Sequence, residues 1–195
     1  DVLGVNISRS EQNMLLSIGS STSPRNLYLY NIAKNDLKKL TNSLNPVINE
    51  DDLVKAEVVR FKSFDGMEIP AIYYKPMQAD KNNKAGALVW VHGGPGGQSR
   101  VGFSNSIQYL VNHGYAVLAV NNRGSSGYGK SFYKMDNKDH SNGDLKDCIY
   151  GKKWLQQQEY IDSSAIGIYG GSYGGCMVLG ALAFHPDEFK VGVNL

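Results

Sequence analysis

Ser172 sits in the run Gly170-Gly171-Ser172-Tyr173-Gly174-Gly175, between the apolar stretches AIGIY (165–169) and MVLGALAF (177–184). A serine hydroxyl attacks carbonyl carbon when the backbone pushes it out of a tight bend beside amide hydrogens that receive the developing negative charge. G-x-S-x-G between a strand and a helix builds such a bend. Side chains two residues either side of the serine would strike neighbouring backbone, so Gly170 and Gly174 suit those places. The N–H of Tyr173, at the positive end of the following helix, is one expected oxyanion donor. The same glycines could hold a phosphate, but neither G-x-x-x-x-G-K-[ST] nor G-x-G-x-x-G is present here.

A second glycine run, His92-Gly93-Gly94-Pro95-Gly96-Gly97, follows the apolar strand ALVWV (87–91) directly. Glycines there let backbone approach a reacting carbonyl and supply a second N–H. Gly94 is the expected donor and Gly93 the alternative. Pro95 has no N–H and helps fix the path of the loop. His92 is expected to hold this loop in place.

These positions depend on the elements around them. Residues 1–50 are polar, with short β-type runs at 14–18, 26–30 and 37–41 separated by turn-rich clusters, and they read as a β meander. From residue 51 the texture changes. VKAEVVRF and MEIPAIYYKP flank an Asp65-Gly66 turn and read as a hairpin. Strands at 87–91, 115–120, 165–169 and 190–195 then alternate with helices at 103–114, 144–158 and 174–185. Near-continuous apolar strands between helices imply a parallel sheet covered on both faces. Gly114 is expected to cap the first helix at its C-terminus, and Asp144 to be the N-cap of the second. A capping role also outweighs a catalytic one for Asp147. Tyr128, Tyr150 and Tyr169 read as packing residues.

The chain has 195 residues, 42% hydrophobic and 19% charged, with a net charge of +2. That is a globular composition, with no electrostatic footprint for nucleic acid. No apolar run is long enough to span a bilayer. No signal peptide is visible, both ends read as cut, and the compartment is left open. Cys148 and Cys176 have no metal-ligand spacing and read as buried free thiols. Nothing calls for a metal or organic cofactor.

VHGGPGG (91–97), NNRGSSGYGKSF (121–132) and GGSYGG (170–175), in this order, resemble the prolyl oligopeptidase family of serine peptidases, in its acylaminoacyl-peptidase and dipeptidyl-peptidase-like branches. The resemblance implies an α/β-hydrolase domain preceded by a β-propeller. Residues 1–50 would then be the end of the last propeller blade, and residues 51–195 the N-terminal part of a hydrolase domain truncated before its last strands. It implies cleavage of short peptides through an acyl-enzyme on Ser172, with Tyr173 and the HGGP loop as oxyanion donors. In the dipeptidyl-peptidase branch a tyrosine hydroxyl does that second job; this chain has His92 there, which favours a backbone donor. Arg123 would position its loop through an ion pair.

Ser172 also needs a base and an orienting carboxylate, in the order Ser, Asp or Glu, His along the chain. Beyond Ser172 stand only His185, Asp187 and Glu188. His185 lies about 20 Å along the following helix at 1.5 Å per residue, and before the acids. His113 reads as a helix-end residue and His140 as a solvated loop residue. The triad partners are therefore expected beyond Leu195, in the missing C-terminal part of the same domain, and the chain alone is expected to be inactive. A carboxylesterase or lipase shares the serine bend and is the alternative; a binding module that has kept the bend without the base or acid is a third.

Overall fold

The computed structural model describes residues 1–195 as two sheets. The first is a four-stranded antiparallel meander of β1 (Val2–Ile7), β2 (Asn13–Ile18), β3 (Asn26–Asn31) and β4 (Asp36–Lys39). It has one strand more than the sequence suggests. Gly4 and a register shift between Val2 and Gly4 break the alternation that would have marked β1.

The second sheet has six strands in the order β10-β9-β7-β8-β6-β5. β5 (Glu57–Lys62) and β6 (Glu68–Tyr74) are the expected hairpin. β6 pairs antiparallel with β8 (Tyr115–Val120). β7 (Ala85–Val91), β8, β9 (Ile161–Gly170) and β10 (Gly192–Asn194) run parallel. The order β9-β7-β8 places the C-terminal ends of β7 and β9 side by side, with Val91 opposite Gly170. The two glycine-rich loops thus leave the sheet at the same edge, where open α/β sheets bind ligands.

Helices cover both faces. α3 (Gly143–Gln156) and α4 (Tyr173–Phe184) pack on one, over a core of 23 buried residues that includes Val89, Leu118, Ile168, Leu145, Cys148 and Met177. α1 (Asn105–Asn112) packs on the other, over a smaller cluster built on Val54, Val111 and Val117. α2 (Lys130–Tyr133) is a single turn and carries no periodic signal. None of the helices is long and apolar enough to cross a membrane.

Several local expectations change. Gln108, on the inward side of α1, is buried and joins the two sheets: its amide accepts from Val54 N–H at 2.9 Å and donates to the Ser21 and Val54 carbonyls at 2.8 Å each. Asp144 is not the N-cap of α3. Asn142 holds that place without a side-chain bond, and Asp144 sits two residues further on, accepting from the Asn142 and Leu145 N–H groups. Asp147 does not cap either; it is wholly buried and pairs with Arg123. Cys148 is buried as expected, but Cys176 is exposed, because it lies on the outer side of α4. Tyr169 packs face to face on Trp90 at 4.2 Å, and the Tyr150 ring meets Phe64 edge-on. Tyr128 packs on Phe132 and also receives a hydrogen bond from Asn121.

Candidate active site

β9 ends at Gly170 and α4 begins at Tyr173, so the chain reverses within two residues. Ser172 takes the turn at φ 55°, ψ −123°, and its side chain is exposed. Positive φ in a residue with a Cβ costs about 1–3 kcal/mol and persists only where the surroundings impose it. Here they do. A Cβ built on Gly170 would lie 2.5 Å from the Gly174 carbonyl oxygen, and one on Gly174 would press into the carbonyl oxygens of Val91 and His92. The two glycines therefore let β7, β9 and α4 close on one another, and the serine is turned outward as a result.

The HGGP loop passes beside it. A Cβ placed on Gly93 would stand 3.3 Å from Ser172 Cβ and 3.6 Å from Oγ. Gly94 follows at φ 136°, a conformation that suits glycine alone. α4 has no side-chain N-cap, and its first N–H groups have no intrahelical acceptor. A hydroxyl, a glycine backbone and a helix N-terminus thus share one open edge.

His92 touches both its own loop and the loop after β8. Its Nδ1 lies 2.8 Å from the Gly93 carbonyl and its Nε2 2.8 Å from Ser125 Oγ. Burial lowers the pKa of the ring, against the opposing pull of the Gly93 carbonyl. Arg123 anchors the neighbouring loop to Asp147 through Nε and Nη2, at 3.0 and 2.9 Å, and to Asp65 through Nη1 and Nη2, at 3.1 and 3.2 Å. Burial opposes the guanidinium charge, but the bonds to Asp147 and Asp65 outweigh it and the pKa of Arg123 rises.

Tyr173 contributes more than a backbone. Its hydroxyl donates to buried Asp144 Oδ2 at 2.5 Å and lies 3.1 Å from His140 Nδ1, tying the start of α4 to the start of α3. Burial, reinforced by the Asp144 carboxylate, drives the hydroxyl pKa upward. His140 is thus not simply solvated. The contacts of Asp144 with Tyr173 and of Ser125 with His92 could not be read from sequence, where Asp144 reads as a cap, because they span 29 and 33 residues without any local pattern.

The remaining histidines stand at helix ends. His113 ends α1 with Nδ1 2.8 Å from the Tyr109 carbonyl, and His185 is the C-cap of α4. Glu188 pairs with Lys152 at 2.8 Å. The ring nitrogens of His92, His113 and His140 bond groups other than Ser172, and His185 stands at the far end of α4.

A sharp strand-to-helix serine turn beside a glycine loop, on a mixed sheet with helices on both faces, defines an α/β-hydrolase fold. Residues 101–195 match the model of the prolyl oligopeptidase family, and the chain belongs to that family. It is 34% identical over 191 residues to dipeptidyl aminopeptidase BIII of Pseudoxanthomonas mexicana, covering 95% of this chain and 28% of that protein. It is 30% identical over 211 residues to dipeptidyl peptidase family member 6 of Caenorhabditis elegans, covering 98% of this chain and 28% of that protein. Among solved structures it superposes on the acylaminoacyl peptidase of Pyrococcus horikoshii with a TM-score of 0.82 at 30% identity, covering 99% of this chain and 30% of that one. The chain spans less than a third of the length of these relatives.

Proposed function

We propose that Ser172 is the nucleophile of a serine peptidase that cleaves short peptides through an acyl-enzyme. In this reading Ser172 Oγ attacks the scissile carbonyl carbon while a base takes its proton. The carbonyl oxygen becomes an oxyanion held by the N–H groups of Tyr173 and Gly94, with Gly93 the alternative to Gly94. The C–N bond then breaks, the amine leaves with the proton, and water hydrolyses the acyl-serine. The observation that carries this reading is the outward Ser172 at φ 55°, flanked by Gly93 and the uncapped start of α4.

The base and its orienting acid are proposed to come from polypeptide beyond residue 195, packed on the same sheet, because His92, His113 and His140 bond other groups and His185 stands at the far end of α4 from Ser172. The meander of residues 1–50 is proposed to be the end of a propeller. Alone, the 195 residues are expected to turn over no peptide.

The test is hydrolysis of a peptide p-nitroanilide by the full-length gene product. Ser172→Ala should lower kcat/KM by about 10³-fold or more, and the 195-residue chain should stay at background. Retained amide hydrolysis in Ser172→Ala would overturn the assignment. Cleavage of p-nitrophenyl esters without any amide would move it to an esterase.

A further inference from the structure

We propose that Ser125 is a positioning residue for the oxyanion loop, acting through His92; its purpose rests on the peptidase reading, its geometry does not. Ser125 is completely buried, and its Oγ touches two groups: His92 Nε2 at 2.8 Å and the Asn122 carbonyl oxygen at 2.6 Å. On its other side the His92 ring meets the Gly93 carbonyl at 2.8 Å, and Gly93 borders Ser172. Ser125 thus stands one hydrogen bond from the ring and two from the backbone beside the nucleophile.

A count of protons explains why a hydroxyl occupies this place. The Gly93 and Asn122 carbonyls only accept, so the three contacts need three protons. A neutral imidazole brings one and Ser125 brings one. With the ring neutral, Nδ1–H serves Gly93 and the Ser125 proton turns to either Nε2 or the Asn122 carbonyl. With the ring charged, both ring N–H groups donate and the serine proton goes to Asn122. A group that can give to the ring in one state and accept from it in the other holds His92 in both; alanine does neither. The ring is surrounded by Gly93, Gly97 and Ser125. Of the ionisable groups on adjoining segments, Arg123 turns away to Asp147 and Asp65, and Tyr133 of α2 lies against Gly96.

The segment carrying Ser125 also grips the far end of the glycine loop. Ser126 N–H donates to the Gly97 carbonyl at 3.0 Å. The Asn121 amide accepts from Ser99 N–H at 2.7 Å and donates to the Ser99 carbonyl at 2.9 Å. Arg123, locked to Asp147 of α3, lies between these two grips. The run RGSSGYG therefore works as a brace for HGGPGG, with Ser125 at the end nearer the nucleophile.

Amide hydrogen exchange of the full-length gene product tests this, comparing Ser125→Ala, His92→Ala and the double variant. Each single substitution should speed exchange at the Ser99 and Ser126 amides by about tenfold or more, while Val117 and Ile168 keep native rates. The double variant should be no faster than the faster single one, because the two residues act in series. Effects that multiply, or loop rates unchanged by Ser125→Ala, overturn the proposal. Should an alanine variant fail to fold, ring-nitrogen NMR of the unaltered full-length protein decides. A neutral His92 held as the Nδ1–H tautomer, gaining a second slowly exchanging ring proton on acidification, supports the proposal. A solution-like mixture of tautomers in fast exchange with water refutes it. None of these readouts involves turnover, so their failure is distinguishable from failure of the peptidase reading.

Discussion

The strain at Ser172 is set by its neighbours, since Gly170 and Gly174 leave no room for the bend to relax. The sharpness of the turn could be read from the chain, because it is written within five adjacent residues. So could the place of His92, at the end of a strand and the start of a glycine loop. The partners of these residues could not be read: Ser125 and Asp144 arrive from loops whose paths depend on the whole sheet. A pH effect follows at this scale. Burial lowers the folded-state pKa of His92 below its usual value near 6.5. As pH falls below about 6.5, the unfolded chain takes up this proton before the folded one, so stability drops with acidification; above about 6.5 both states are neutral and the effect vanishes. Urea midpoints measured between pH 7.5 and 5 should therefore fall more steeply for the native chain than for His92→Gln. Equal slopes would show that the ring titrates alike in both states.

Among the elements, α3 and the loop after β8 form the support on which the site rests. Asp147 has no solvent exposure and Arg123 very little, and Ser63 from the β5–β6 turn donates to the same carboxylate at 2.5 Å. Removing one partner of such a pair leaves an uncompensated buried charge, which costs about 3–5 kcal/mol. Arg123→Met should lose stability of that order in urea unfolding, and adding Asp147→Leu should restore part of it. A loss below about 1 kcal/mol would mean that the pair behaves as a surface one. Strand positions other than β1 were legible to within a few residues from apolar runs and turn residues; in the parallel strands burial on both faces leaves long unbroken runs. α2 was not, because four residues carry no period. The N-cap of α3 was misplaced because SNGD offers both Asn142 and Asp144, and only the path of the loop selects between them.

Over the whole molecule, the meander and the six-stranded sheet meet through Gln108, whose amide bridges residues 21 and 54. A glutamine among apolar neighbours on α1 carries no sequence sign of this task, so the junction emerges only from the structure. Leu179 and Phe184 of α4 and Val191 and Leu195 on either side of β10 are exposed. Cys176, also exposed, lies on the same helix. Cys148, in contrast, is sealed in the core, and burial raises its thiol pKa well above normal. A thiol-exchange reagent should accordingly titrate one sulfur promptly in the native chain and the second only after denaturation; two prompt equivalents would contradict the packing of α3.

That inequality between the sulfurs makes the chain its own labelling platform. A maleimide dye coupled under native conditions would attach to Cys176 alone, one helical turn past the bend. Its emission would then register whatever settles over the exposed flank, with no engineered tag required.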